Sequence, residues 1–224
     1  MKFPYQMLRD YVDTQLTAEV VGDLLTMAGF ELEGIDEVEG DYVLDVKVMS
    51  NRGDGLSVFG LSREVLAKDL NAKPTELYTK TAQFEPTLAT TLGRVTIETE
   101  DCNRFACCTF EGVSPAQSPD WMQKRLRQAG QRPISLLVDL TNYVMLELGQ
   151  PMHAFDLETL EGGRIVVRKA KTGEKLTTLN GDEHELRPDQ MMVCDANKPI
   201  GAAGVMGGLV TEVTASTKRV LLES

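Results

Sequence analysis

The sequence predicts an α+β protein with a small N-terminal α/β unit and a larger mixed α+β domain. Before residue 75, segments with helical spacing alternate with a short strand, whereas the C-terminal half is rich in strand and turn patterns. Residues 71–91 show weak periodicity and contain prolines and many threonines, which predicts a linker. We therefore expect the N-terminal unit over residues 1–75 and the second domain over residues 76–224.

The N-terminal unit is predicted as helix, strand, helix. The first helix spans residues 16–29, with Thr17 as its N-terminal cap and Gly29 at its end. The strand over 42–48 is predicted from alternation, and its apolar face consists of Tyr42, Leu44, Val46 and Val48. The second helix covers 56–70, and its apolar face consists of Leu56, Phe59, Val65, Leu66 and Leu70.

The second domain is predicted to hold two helices among many strands. Ser118 caps a helix that has Pro119 at its first position and ends at Gly130. A longer helix over 134–148 has apolar residues at steps of three and four. The other predicted features are strands over 95–99, 104–111, 164–168, 175–179, 191–194 and 219–222, and a hairpin turn at Asn180-Gly181.

The composition excludes several classes of protein. A hydrophobic fraction of 42% and a charged fraction of 25% are typical of a soluble globular protein. No apolar run approaches the roughly twenty residues of a membrane span, and the first residues lack a targeting pattern. We expect a cytoplasmic protein with no membrane partner. The net charge of −11 opposes non-specific attraction to nucleic acid, so any such contact is local or shared with a partner.

The cysteines do not have the spacing of a metal site or of a disulfide framework. An adjacent pair is present and no two cysteines are separated by two residues, as the positions Cys102, Cys107, Cys108 and Cys194 show. We expect buried or half-buried free thiols, and neither a metal nor a cofactor in this chain.

The segment 139–156 is the first candidate for a functional site. Thr141 and Asn142 lie in the middle of a predicted helix, where both residue types are poor helix formers. Taken alone, they indicate a structural hydrogen bond first and a ligand contact second. His153 follows a proline-containing turn, from which an imidazole can exchange a proton near neutral pH. A lone histidine is more often structural, and we expect the other histidine, His184, to be exposed.

Two further segments carry unusual residues. The run 201–208 contains small residues that let a ligand or another strand approach the backbone, although a tightly packed strand and turn is the simpler interpretation. The run lacks the ending of a phosphate-binding loop, so nucleotide binding is not supported. Glu223 follows an apolar strand, and a solvated strand end is the default. If Glu223 is buried instead, it needs a partner such as a ligand hydroxyl.

Together, these motifs resemble one known family. The segments Thr141–Asp156, Ala203–Gly208 and Leu221–Ser224 are similar, in order and combination, to the editing domain of the β subunit of bacterial phenylalanyl-tRNA synthetase. The N-terminal segments Leu8–Val12, Thr26–Gly34 and Asn51–Val58 are similar to the start of that subunit. The resemblance therefore covers nearly the whole chain.

The resemblance implies hydrolysis of tyrosine that is wrongly attached to the phenylalanine tRNA. A pocket built for phenylalanine rejects an added hydroxyl only weakly, whereas a second site that binds this hydroxyl can discriminate well. By this matching Glu223 receives the tyrosine hydroxyl, and His153, Thr141 and Asn142 orient the substrate and the water. His153 is either a general base or a positioning group. The implied pocket lining is Gly204, Val205, Gly207, Pro151 and Ala154.

The same resemblance implies an α2β2 ligase in which the α subunit and the phenylalanine tRNA are the partners. ATP and magnesium are implied for the complete ligase and not for this chain. Three departures from the family pattern are Gly53 in place of a proline, no oligonucleotide-binding insertion between Gly34 and Tyr42, and an end at Ser224. We therefore expect either a truncated editing domain, incomplete at its C-terminus, or a short paralogue. The alternative function is a module from the same fold that binds tRNA or protein without catalysis.

Overall fold

Two compact units alternate along the chain. The computed structural model describes residues 1–82, 94–114 and 116–224. Of these, 1–82 and 117–151 form the first unit, and the remainder form the second. The division therefore does not coincide with the boundary predicted between residues 75 and 76, because a segment from the predicted second domain packs into the first unit. The α+β class itself is confirmed.

The first unit combines helices with a small antiparallel sheet. Its elements are β1 (Lys2–Pro4), α1 (Tyr5–Arg9), β2 (Val12–Asp13), α2 (Ala18–Met27), β3 (Glu31–Val38), β4 (Asp41–Lys47), α3 (Val58–Lys68), β5 (Lys73–Pro74), α4 (Glu76–Ala82), α5 (Asp120–Gln128) and α6 (Leu136–Leu148). The sheet has the order β1-β4-β3, and β2 pairs with β5. Buried side chains from α1, α2, α3, α5 and α6 share one core with the sheet.

Local capping explains where two of these helices begin. The Thr17 hydroxyl accepts a hydrogen bond from the Val20 N–H at the start of α2, so the predicted cap is confirmed. At the start of α3, the Ser57 hydroxyl accepts from the Gly60 N–H at 2.9 Å. The predicted second helix is therefore shorter than expected. Leu56 and Leu70 lie outside α3 and are exposed. The apolar spacing continues past both ends of the helix, so spacing alone does not locate those ends.

Helices α5 and α6 form as predicted, but the cap of α5 differs. Pro119 occupies the N-cap position, and the Ser118 hydroxyl donates to the carboxylate of buried Asp139 instead of capping α5. That carboxylate also accepts from the Ile134 N–H at 2.8 Å. The helix α6 ends at Gly149, whose φ of 79° is the left-handed conformation that glycine adopts at low cost.

The predicted linker and strand positions are partly corrected. Residues 71–82 contain β5 and α4 rather than an irregular linker, while 83–91 of the predicted linker lies outside the described residues. The strand predicted over 42–48 is β4, but Tyr42 is exposed near its beginning. Among the described residues, no helix is long and apolar enough to cross a lipid bilayer.

The second unit is built from strands. Its elements are β6 (Val95–Ile97), β7 (Cys107–Glu111), β8 (His153–Asp156), β9 (Ile165–Lys169), β10 (Lys175–Thr177), β11 (Glu183–Glu185), β12 (Met191–Cys194), β13 (Pro199–Ala202), β14 (Met206–Gly207) and β15 (Arg219–Glu223). A five-stranded sheet has the order β14-β13-β12-β9-β6, and a three-stranded sheet has the order β7-β15-β8. The predicted Asn180-Gly181 turn joins β10 to β11, and Gly181 has a φ of 88°.

Side chains from the two larger sheets meet in one apolar layer. Phe155 and Leu221 come from the three-stranded sheet, whereas Ile165, Val193 and Ile200 come from the five-stranded sheet. On the other face of the five-stranded sheet, the β10–β11 hairpin packs through a second, smaller core. The first apolar layer sets the position of the candidate site, because the side chains that continue it along β8 and β15 are polar.

Candidate functional site

Glu223 lies between His153 and Cys107 in the three-stranded sheet. The antiparallel register pairs Glu223 of β15 with His153 of β8 on one side and with Cys107 of β7 on the other. Directly opposed residues in antiparallel strands project from the same face, with Cβ atoms about 4.5–5.5 Å apart. The carboxyl, the imidazole and the thiol therefore share one face of the sheet.

This face continues into the apolar layer. Two residues earlier on β15, Leu221 pairs with Phe155, and both are fully buried. Because side chains alternate along a strand, Leu221 and Glu223 lie on the same face. His153 and Glu223 thus lie at the edge of the apolar core, which explains why their polar atoms are buried.

His153 is half-buried, and its imidazole packs against an apolar neighbour. Its ring packs edge-on against Phe155, with ring centroids 4.6 Å apart and an interplanar angle of 77°. The Nε2 atom is buried and has no hydrogen-bond partner within the described part of the chain. Burial lowers the pKa of His153 below its ordinary value of 6.5, because the charged form loses its water. The ring is therefore neutral at pH 7 and can accept a proton.

The Glu223 carboxyl has a matching environment. Its Oε2 atom is also buried and finds no hydrogen-bond partner in the residues that the structure describes. Burial raises the pKa of Glu223 to about 7, because the carboxylate is desolvated without a compensating charge. Near neutral pH this group exists in both forms, so it can donate or accept a hydrogen bond. Glu223 is accordingly not the solvated strand end that is the default for such a position.

Gly207 supplies the space that His153 occupies. A Cβ atom at Gly207 would lie 2.8 Å from both Cε1 and Nε2 of His153, a distance that real Cβ atoms essentially never show. Gly207 belongs to β14, the edge strand that pairs with β13. The small residues of the 201–208 run therefore allow an imidazole to lie close to a backbone, as well as allowing strands to pack.

Other predicted pocket residues occupy different positions. Gly204 has a φ of 70° in the turn between β13 and β14, and the neighbouring Val205 is 81% exposed. Ala154 pairs with Leu222, so its side chain lies on the opposite face of the sheet from His153. The roles assigned to these three residues stay predictions.

Thr141, Asn142 and Pro151 belong to the first unit, whereas His153 and Glu223 belong to the second. The Thr141 hydroxyl donates to the Val138 carbonyl at 2.8 Å, which is the structural hydrogen bond expected of a threonine inside a helix. The grouping of Thr141 and Asn142 with His153 and Glu223 in one site stays a prediction from the resemblance.

Sequence reasoning missed two neighbours of this site. Cys107 faces Glu223, and burial raises the pKa of its thiol, with a further rise from the negative charge of nearby groups. All four cysteines are free thiols, although Cys108 is exposed rather than half-buried. Phe155 forms the apolar support of the imidazole. Only the strand register could have identified Cys107, because it is distant in sequence from both partners.

Comparison with known proteins now assigns the chain to a family. The family model described as the B3/4 domain matches residues 101–224, which is more than half of the chain. The chain belongs to the B3/4 domain family. The matched B3/4 region includes all of β7, β8 and β15, and thus His153, Glu223 and Cys107.

Several curated relatives of this B3/4 protein share the name phenylalanine–tRNA ligase beta subunit. The chain is 46% identical over 185 residues to the phenylalanine–tRNA ligase beta subunit of Moorella thermoacetica, covering 82% of this chain and 23% of that protein. It is 44% identical over 190 residues to the Aquifex aeolicus beta subunit, covering 83% of this chain and 23% of that protein. It is 35% identical over 227 residues to the Rhodopirellula baltica beta subunit, covering 100% of this chain and 33% of that protein. The chain is homologous to these subunits and spans about a quarter to a third of their length.

A solved structure shows the same fold. The N-terminal fragment of the phenylalanyl-tRNA synthetase beta subunit from Pyrococcus horikoshii matches with a TM-score of 0.50 and 17% identity. The match covers 100% of this chain and 67% of that fragment. At this identity the comparison supports the B3/4 protein's fold.

Proposed function

We propose that this chain carries the hydrolytic editing site of a phenylalanine–tRNA ligase β subunit. The observation that carries the proposal is the pair of buried, unpartnered polar atoms, Nε2 of His153 and Oε2 of Glu223, on one face of one sheet. Leaving a buried polar group without a partner costs about 1–3 kcal/mol. A bound ligand that satisfies both atoms offsets that cost.

The reaction proposed is hydrolysis of an aminoacyl ester. Water adds to the ester carbonyl carbon, the bond to the 3′ oxygen of the tRNA breaks, and tyrosine and free tRNA are the products. Neutral His153 accepts a proton from the water as a general base, or holds the water through Nε2 as a positioning group. The proton that the water loses goes to the 3′ oxygen of the leaving tRNA.

Discrimination against phenylalanine is assigned to Glu223. Its carboxyl, with a pKa of about 7, can accept from the tyrosine hydroxyl when ionised or donate to it when protonated. Phenylalanine leaves the same buried group unpaired, and sites built to bind a hydroxyl reject analogues that lack it strongly. Gly204, Val205 and Gly207 are proposed to line the pocket, and the resemblance alone proposes Thr141 and Asn142 as orienting residues.

The partners are proposed from the same relationship. The α subunit, the α2β2 assembly, the phenylalanine tRNA and a cytoplasmic location all belong to this proposal. ATP and magnesium are assigned to the aminoacylation part of the complete ligase.

The test is deacylation of tyrosyl-tRNA that carries the phenylalanine anticodon, measured on this chain and on a form extended past Ser224. His153→Ala should slow hydrolysis by roughly 100-fold, the scale of general acid–base catalysis. His184→Ala, which removes an exposed histidine, is the matched control. Glu223→Ala should slow release of tyrosine more than release of phenylalanine. Binding of the tRNA without hydrolysis by either form would instead support a non-catalytic binding module.

A further inference from the structure

A leucine occupies the turn between β10 and β11 where the turn itself does not require one. The Asn180 side chain bonds to the Thr178 hydroxyl at 2.6 Å, and Gly181 takes the positive φ, so these residues supply the turn chemistry. Leu179 lies between them and is 37% exposed. An apolar side chain at an exposed turn has a packing role only if something lies beneath it.

What lies beneath Leu179 is the candidate site. The Leu179 N–H donates to the Gly207 carbonyl at 3.1 Å, and Thr178 forms a bridge with Gly208, so the turn is fastened to β14. The Cδ1 atom of Leu179 lies 3.4 Å from the position that a Gly207 Cβ would take. The same position is 2.8 Å from Cε1 and Nε2 of His153. The leucine and the imidazole therefore lie side by side over Gly207.

The surroundings of His153 are consequently apolar on several sides. Phe155 packs against the ring, Gly207 offers bare backbone below it, and Leu179 lies on the side of the turn. Glu223 faces it from β15, while neither β14 nor Leu179 brings a titratable group. Leu179 is the most exposed of these side chains, at 37%, so it is the neighbour best placed to separate the imidazole from solvent.

We propose that Leu179 is a positioning residue that shields the His153 imidazole from water through the turn fastened to Gly207. The shielding itself does not depend on any activity. Its consequence for hydrolysis rests on the proposed function, because an imidazole that is kept dry and oriented serves an ester only if this site cleaves one.

The direct test follows the titration of the imidazoles by nuclear magnetic resonance. The chain has two histidines, so His153→Ala assigns both signals, and exposed His184 is an internal reference. In Leu179→Ala, water reaches the ring, and the pKa of His153 should rise measurably towards its ordinary value. Leu179→Met keeps an apolar cover and should restore the original titration.

The matched control is Phe110→Ala. Phe110 is 48% exposed, and it pairs with Val220, so it lies on the opposite face of the three-stranded sheet from His153. The proposal is overturned if Leu179→Ala leaves the His153 titration unchanged, or if Phe110→Ala shifts it equally. Amide spectra establish that each variant is folded. If Leu179→Ala does not fold, Leu179→Val replaces it, and a smaller shift in the same direction is required.

A second measurement separates this inference from the proposed function. In the deacylation assay, Leu179→Ala should lower kcat more than it raises KM and should move the acidic limb of the pH–rate profile with the His153 titration. If the His153 titration shifts while the pH–rate profile stays unchanged, the shielding role of Leu179 is supported and the role of His153 in hydrolysis is rejected. If the His153 titration stays unchanged while hydrolysis falls, the shielding role of Leu179 is rejected and the proposed editing site is retained.

Discussion

Glu223 and His153 are direct partners across β15 and β8, and no hydrogen bond joins them. Nε2 of His153 and Oε2 of Glu223 each lack a partner within the described chain. Burial acts in opposite directions on the two pKa values, since it disfavours the charged form of each group. The pair is therefore a neutral base beside a carboxyl that titrates near pH 7, rather than an ion pair.

The stability of the protein should depend on pH through Glu223. Its pKa is about 7 in the folded chain and 4.5 ordinarily, so folding favours the protonated form. This contribution is fully present below pH 4.5 and is lost as the pH rises through 7. Glu223→Gln should therefore be more stable than the parent at pH 8, by roughly 1–3 kcal/mol, and similar to it at pH 4.5.

Urea denaturation across this pH range measures the effect of Glu223→Gln. The exposed Glu185 provides a control, since Glu185→Gln removes a carboxylate that is already solvated. A stability difference for Glu223→Gln that stays constant from pH 4.5 to 8 would contradict the burial of this carboxyl.

A methyl group at Gly207 should disturb the imidazole. In Gly207→Ala the new Cβ would lie 2.8 Å from the His153 ring, so the ring must move. Small displacements of a reacting group reduce rates strongly, and we expect a fall in deacylation of roughly 10–100-fold. The control is Gly201→Ala on the neighbouring strand, whose Cβ would meet its nearest atom at an ordinary 3.6 Å. Equal rates for the two variants would contradict the packing of His153 on Gly207.

The start of α3 should not tolerate a side chain at Gly60. A Cβ there would lie 1.6 Å from the Asp54 carbonyl oxygen, which is backbone and cannot rotate away. We expect Gly60→Ala to lower the free energy of unfolding by at least about 2 kcal/mol. Gly53→Ala has open space around its Cβ and should change stability by less than about 0.5 kcal/mol. Thermal or chemical denaturation of both variants tests the contrast.

The link between Ser118 and Asp139 should be measurable as a coupling. Asp139 is 1% exposed and accepts from Ser118 and from the Ile134 N–H. Removing one partner leaves a buried acceptor short of a donor, so Ser118→Ala and Asp139→Ala should each cost about 1–3 kcal/mol. A double-mutant cycle should give a coupling of about 1 kcal/mol or more. Simple additivity of the two losses would show that the two groups act independently.

Local signals predicted the helices better than they predicted the site. The repeat of apolar residues and Gly149 located α6 to within two residues of its start, because spacing and a positive-φ stop are properties of the segment itself. The strand β3 was not predicted, since its burial pattern is irregular and its register shifts at Leu32 and Gly34. Local spacing predicts a capping role for Ser118 and cannot reveal its partner, because Asp139 is 21 positions away.

Within the site, the sequence identified His153 and Glu223 as candidates but not their relationship. Their pairing depends on the register of β15 against β8, which no local pattern encodes. The sequence shows Gly207 as part of a small-residue run, yet its contact with the imidazole depends on how two sheets pack. Leu179 gave no signal at all, because a leucine beside a turn is ordinary until the neighbouring strand is in place.

The interleaving of the two units has a consequence for how the protein is made. The interior of the first unit contains Phe3 and Leu8 together with Leu126 and Tyr143, so its final members leave the ribosome long after its earliest ones. The apolar surface of the nascent N-terminal segment therefore stays exposed to solvent while residues 94–116 of the other unit are synthesised. Chaperone demand should accordingly peak before Tyr143 emerges, and ribosome-bound chains halted ahead of that residue should be more easily digested by protease than those halted after it.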